Sequence, residues 1–361
     1  MTEQTTASQA TGSAGSNRWT SPEPIRYPDP DIVLDPRFER MILGHAAIER
    51  IATGCRFTEG PVWFGDLRQL VFSDIPNDRL VRWDEETGAT GVLRKPAGFP
   101  DGNTRDRQGR LLSAELGTRR LTRTEHDRTV TVLADHFQGV RLTGANDVIV
   151  KSDNSIWFSD NGAGIRGNYL GDKAPQELPF RVYRIDGATG EMTIAVGDME
   201  RPNGLCFSPD ETRLYVVDTP SGRKTTHVYD VDSDGRTVCN GRVFSDGEPG
   251  YADGIRCDTE GNVWCGFSGG VGQDGVAIFA PDGTRSHPAA GTLRQSVHWR
   301  TQTESAVHDG EPVRLCPLCR GRGRLVGSPI AGWTDGVCSV PDTNQRMSDN
   351  RRNGRATASA P

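Results

Sequence analysis

No apolar run in the chain comes near the roughly 20 residues needed to cross a bilayer. The opening MTEQTTASQATGSAGSNR lacks the apolar core of a secretory leader. A soluble, cytoplasmic protein with no membrane association is expected. Positive charge is not in excess, since 42 Lys and Arg face 48 Asp and Glu for a net charge of −6, which argues against nucleic acid as a partner. Histidines number seven and are scattered, and no Gly-x-Ser-x-Gly elbow occurs. His45, His126, His136 and His227 therefore read as surface or structural residues, and a Ser-His-Asp hydrolase is disfavoured. Eight cysteines without framework spacing read as reduced thiols rather than a disulfide scaffold.

What the chain has is glycine and proline, 43 and 22 of 361 residues, about 18 % against a usual share of roughly 12 %. That composition favours short strands and tight turns over long helices. A repeating unit of two strands and a Gly-containing turn recurs five times from about residue 46. The first strands of these pairs are LVFSD, LLSAE, IWFSD, LYVVD and VWCGF, opening at Leu70, Leu111, Ile156, Leu214 and Val263. Their separations of 41 to 58 residues fit four-stranded propeller blades of about 40 to 50 residues, with Ile165 to Pro179 as a loop insertion. The predicted fold is all-β, a six-bladed β-propeller whose last blade is missing or corrupted.

Ten or eleven residues before each of those strands stands an acid or amide, namely Glu59, Asp101, Asn146, Asn203 and Asp253. Each alone is more simply a turn residue. At matched positions of successive blades they line a central channel instead. Oxygen ligands without histidine select hard cations, so calcium, or another divalent ion such as zinc, manganese or magnesium, is the expected cofactor.

The segments RFTEGPVW, FPDGNTRDRQGRLL, GANDVIVKSDNSIWFSD, RPNGLCFSPDETRLYVVDT and YADGIRCDTEGNVW together resemble the SMP-30/gluconolactonase, or regucalcin-like, family over about residues 46 to 285. The resemblance implies a six-bladed propeller that hydrolyses sugar-type lactones with a divalent cation. It implies Glu59, Asn146, Asn203 and Asp253 as metal ligands, Asp253 also as the catalytic base, and Asn103 and Glu115 as holders of substrate hydroxyls. The expected partner is a small-molecule lactone. A non-enzymatic propeller that binds calcium or a small ligand, or an inactive truncated family member, is the alternative.

The flanks differ from this centre. Residues 1 to 45 read as a largely disordered extension, 46 to 285 as the propeller domain and 286 to 361 as an atypical, disordered segment. The last segment holds no Phe, Tyr or Lys, although the chain has 12 Phe and 6 Tyr. Two readings of it stay open: a disordered appendix, or a frame slip near Arg285, since reading one base later with permissible codons restores a Leu-Phe-Met-Thr-Ala strand. Cys316 and Cys319 form a CxxC pair with too few further ligands for zinc. The run from Arg320 to Arg324 lacks the interleaved aromatics of a nucleic-acid surface.

Overall fold

The structure, a computed structural model, describes residues 50–222, 224–246, 250–268 and 275–285, with the backbone of strand segments at 25–27, 48–49, 286–287, 297–300 and 316–319. All described elements belong to the unit Met1–Arg324. No helix among the described residues is long and apolar enough to cross a membrane.

Five antiparallel sheets of four strands follow one another along the chain. Their first strands are Thr58–Phe64, Pro100–Arg105, Ala145–Val150, Pro202–Phe207 and Tyr251–Cys257. Each pairs with a second strand, Gln69–Asp74, Leu111–Glu115, Ile156–Asp160, Arg213–Asp218 or Val263–Ser268. A third and fourth strand continue each meander outward. First strands of neighbouring blades lie side by side, so they form the inner layer of a propeller, and the five blades coincide with the five sequence repeats.

Second strands are buried on both faces, which is why they read as short continuous apolar runs rather than alternating ones. In Ile156–Asp160 the side chains divide between the two neighbouring blades. Phe158 joins Leu112, Leu121 and Tyr183 on the blade 2 side. Trp157 joins Leu205, Leu214 and Val216 on the blade 4 side and meets Phe207 edge-on at 5.3 Å. Each such buried side chain contributes roughly 1.5–3 kcal/mol, so the blades are held together by apolar layers between them.

Asp147 adds a polar clamp. Its Oδ2 accepts from the Leu205 backbone N–H at 3.2 Å and from the Arg256 guanidinium at 3.2 Å, joining blades 3, 4 and 5 through one carboxylate.

A further four-stranded sheet has a different make-up. Its order is Ile25–Tyr27, Ile48–Arg50, Cys316–Cys319, Val297–Arg300, and its central pairing is parallel, with Glu49 opposite Leu318. Strands at 25–27, 297–300 and 316–319 are not what the composition predicts for the two flanks. Ladder hydrogen bonds are backbone bonds, and so can form where aromatic content is poor. Cys338, the run from Arg320 to Arg324 and the restored Leu-Phe-Met-Thr-Ala reading lie outside the described residues.

Replacing Asp147 by Ala leaves the Leu205 N–H and the Arg256 charge without their acceptor. We expect a loss of about 2–3 kcal/mol, toward the low end for a broken pair because Arg256 is partly exposed. The urea unfolding midpoint measures it, and an unchanged midpoint would show that the clamp carries no stability.

Candidate functional site at the inner strands

Every inner strand of the five blades carries an irregularity at the same place. The register steps three residues on the inner strand against two on its partner between Glu59 and Val62, Pro100 and Asn103, Ala145 and Val148, Pro202 and Leu205, and Ala252 and Ile255. Each is a β-bulge, which bends the strand and re-aims a side chain. The acid or amide of each repeat sits at its bulge, so Glu59, Asp101, Asn146, Asn203 and Asp253 occupy equivalent positions.

Close approach explains the residue that follows. A methyl group on Gly60 would overlap the Asp101 carbonyl, and one on Gly204 would overlap the Asp253 carbonyl. Glycine there lets one blade's bulge abut the motif residue of the next. Blade 3 has Asp147 in that position and sends its carboxylate across to Leu205 and Arg256 instead.

Asn146 and Asp101 meet directly, Asn146 Nδ2 donating to Asp101 Oδ2 at 2.6 Å, with both residues buried. Asp253 lies near enough to act on Asp101 by charge. Burial, then repulsion from Asp253 and from Asp147, pushes the Asp101 carboxyl well above the usual carboxylate range, and the Asn146 bond only partly offsets this. Glu59, Asn203 and Asp253 are half-buried. A buried carboxylate under like-charge pressure retains a proton or takes a cation.

Two residues expected to hold substrate hydroxyls are placed within the blades, away from the bulges. Asn103 has no solvent exposure. Its Nδ2 donates to the Gly60 carbonyl at 2.9 Å and to Ser73 Oγ at 2.8 Å, while its Oδ1 accepts from Ser113 Oγ at 2.7 Å. It stitches blade 1 to blade 2. Glu115 is likewise fully buried. It takes Arg94 at 2.8 Å, Arg120 at 2.6 Å, Thr122 at 2.8 Å and a further bond from Thr118. The residue of that motif at the bulge is Asp101, two positions before Asn103.

Glu115 belongs to a second series, the acids ending the second strands. Asp74 accepts the Arg56 N–H at 2.9 Å, Asp160 the Thr143 N–H at 2.8 Å, and Asp218 the Arg201 N–H at 2.7 Å. These carboxylates fix the segment that enters each inner strand, a reason for the recurrent strand-final acid that sequence patterning does not supply. In blade 5 Phe267 stands at this place.

Among the described residues no three acidic, histidine or cysteine side chains group as a metal site. Amide oxygens would have to complete any cation shell, and Asn146 and Asn203 are amides. Burial raises the Asp160 carboxyl above its ordinary value despite the Thr143 and Gly144 bonds. A folded value above the unfolded one gives a contribution that is complete below about pH 4 and is lost as pH rises through the folded value. Stability of the wild type relative to Asp160→Asn should therefore fall from pH 4 upward. Thermal melts of both chains at pH 4 to 7 measure this, and a constant difference would show that Asp160 titrates normally.

The sequence profile of the SMP-30/gluconolactonase/LRE-like region matches residues 57–290. The chain is 30 % identical over 272 residues to a gluconolactonase of Zymomonas mobilis, covering 69 % of this chain and 74 % of that one. It is 28 % identical over 236 residues to the pentonolactonase XacC of Haloferax volcanii, covering 65 % and 73 %. A solved gluconolactonase structure from Xanthomonas campestris superposes with a TM-score of 0.68 at 32 % identity, covering 75 % of this chain and 88 % of that one. With five bulged inner strands bearing the motif residues and a profile match spanning the blades, the chain belongs to the SMP-30/gluconolactonase/LRE-like family.

Proposed function

We propose that this protein is a lactonase that opens a sugar-type lactone with water at the mouth of the inner strands. The observation that carries the reading is the buried contact of Asn146 with Asp101 beside Asp253, on bulges that five blades share. Relatives that act as gluconolactonase and pentonolactonase support the reaction class.

Glu59, Asn146, Asn203 and Asp253 would hold a divalent cation, calcium being the best match to carboxylate and amide oxygens. Such an ion, when bound, supplies Lewis-acid polarisation of the lactone carbonyl. The remaining work falls to the side chains. Asn146 spends its Nδ2 on Asp101, which leaves Oδ1 as the group it presents. Asp253 orients the attacking water and accepts its proton as the oxygen adds to the carbonyl carbon. The ring C–O bond then breaks, the electron pair goes to the departing alkoxide, and the proton is passed to it. One water is consumed and one hydroxy acid is released.

We also infer that the mixed sheet from the two flanks completes the ring as a sixth blade. Its strand Val297–Arg300 lies against the blade 1 inner strand Thr58–Phe64, where a sixth inner strand would sit.

Asp253→Asn removes charge without volume. We expect hydrolysis of glucono-1,5-lactone to fall by about 10²-fold or more with the melting temperature within a few degrees of wild type. Chelator should abolish the wild-type rate, and calcium should restore it. Wild-type turnover in Asp253→Asn would exclude the assigned role and favour a binding propeller.

A further inference from the structure

Blades 4 and 5 meet along a seam that brings three thiols into one apolar layer. Side chains alternate along the blade 4 inner strand, so Leu205 packs on the blade 3 side and Cys206 on the blade 5 side. On the blade 5 inner strand, Ile255 and Cys257 share the face turned to blade 4. Cys265 of the second strand, opposite Ile255, joins them.

The two inner strands lie side by side in close register. A methyl on Gly204 would stand 2.9 Å from the Ile255 backbone nitrogen, and the Leu205 carbonyl accepts Arg256 Nη1 at 3.4 Å. Two residues beyond Gly204 and Ile255, the same register sets Cys206 beside Cys257, and their thiols share a hydrogen bond. Cys265 is engaged elsewhere, its Sγ donating to the Val263 carbonyl at 3.8 Å.

The members of the pair differ in access. Cys257 is half-buried, whereas Cys206 is 3 % exposed and Cys265 1 %. Burial, then the bond with Cys257, pushes the Cys206 thiol well above its usual range, so that it keeps its proton. Of the three sulfurs, that of Cys257 is the one an oxidant reaches from solvent, and the thiol bonded to it is Cys206.

We propose that Cys206 and Cys257 are a thiol pair that a hydroperoxide converts to a disulfide, stapling the inner strand of blade 4 to that of blade 5. The Cys257 sulfur attacks a peroxide oxygen, the O–O bond breaks, water leaves with the thiol proton, and a sulfenic acid forms. The Cys206 sulfur then attacks that sulfur, the S–O bond breaks, and a second water leaves with the Cys206 proton. The thiol pair loses two electrons, and one hydrogen peroxide is reduced to two waters. Asn203 and Asp253 stand upstream on the same two strands, roughly 10–13 Å away at about 3.3 Å per residue. The bond therefore forms beneath the mouth and consumes no residue of the site, and it is independent of the reaction proposed above.

The test exposes the reduced full chain, cleared of reductant, to hydrogen peroxide, blocks the remaining thiols with N-ethylmaleimide and maps peptides without reduction. A cross-linked Cys206–Cys257 peptide is expected, and a thiol reductant should reverse it. Because the bond closes a loop of about 50 residues, the oxidised chain should melt about 5 °C or more above the reduced one. Cys265→Ser should keep both results, and Cys257→Ala should lose both. Mapping of the wild type decides the matter even where a variant fails to fold. Peroxide that oxidises the exposed Cys239 but leaves Cys257 unmodified, drives Cys257 to sulfinic acid without a link, or joins it to Cys265 overturns the proposal. So does a Cys206–Cys257 link that leaves the melting temperature unchanged or lowers it, since no staple then exists.

Discussion

Five inner strands must approach one another more closely than side chains ordinarily allow, and the rest of the molecule follows from how the chain meets that demand. A bulge at one register position bends each strand, and a glycine after the motif residue removes the Cβ that would strike the next blade. The same bulge re-aims the preceding acid or amide. Scaffold and site therefore have a single origin, since the deformation that lets the blades pack also gathers Glu59, Asp101, Asn146, Asn203 and Asp253 at equivalent positions.

Gathering carboxylates in a buried place is costly, and the molecule sorts its acids accordingly. Those at the ends of the second strands have their lone pairs taken by backbone N–H groups or arginines, as with Asp74, Glu115 and Asp218. Asp147 is taken up by Leu205 and Arg256. Asp101 is different, for its carboxyl meets one amide and the charge of two other acids. Such surroundings favour a retained proton or a bound cation over a bare carboxylate.

The five repeats, the second strand of each and the recurring acid or amide are legible in the chain because all three are periodic, and a repeat of 41 to 58 residues survives loop insertion. What patterning does not decide is which member of Asp101-Gly102-Asn103 meets the neighbouring bulge. Simple alternation puts residues 101 and 103 on one face of a strand. The bulge between Pro100 and Asn103 breaks that alternation, leaving Asp101 beside Asn146 while Asn103 is absorbed between Gly60, Ser73 and Ser113. Glu115 meets a related limit: in sequence a strand-final acid looks the same whether it faces a ligand or two arginines.

Charge at the inner strands is mixed rather than uniform, and the mixture bears on the proposed reaction. Glu59 and Asp253 bring carboxylates to two of the bulges, while Asn146 and Asn203 bring neutral amides to two others. A divalent ion on that set would be neutralised by two charges and completed by oxygens that carry none, so acids alone need not be crowded together to hold it. A carboxylate formed by opening the proposed lactone would then be drawn by the ion and opposed by the acids beside it, and product release would turn on the balance of the two.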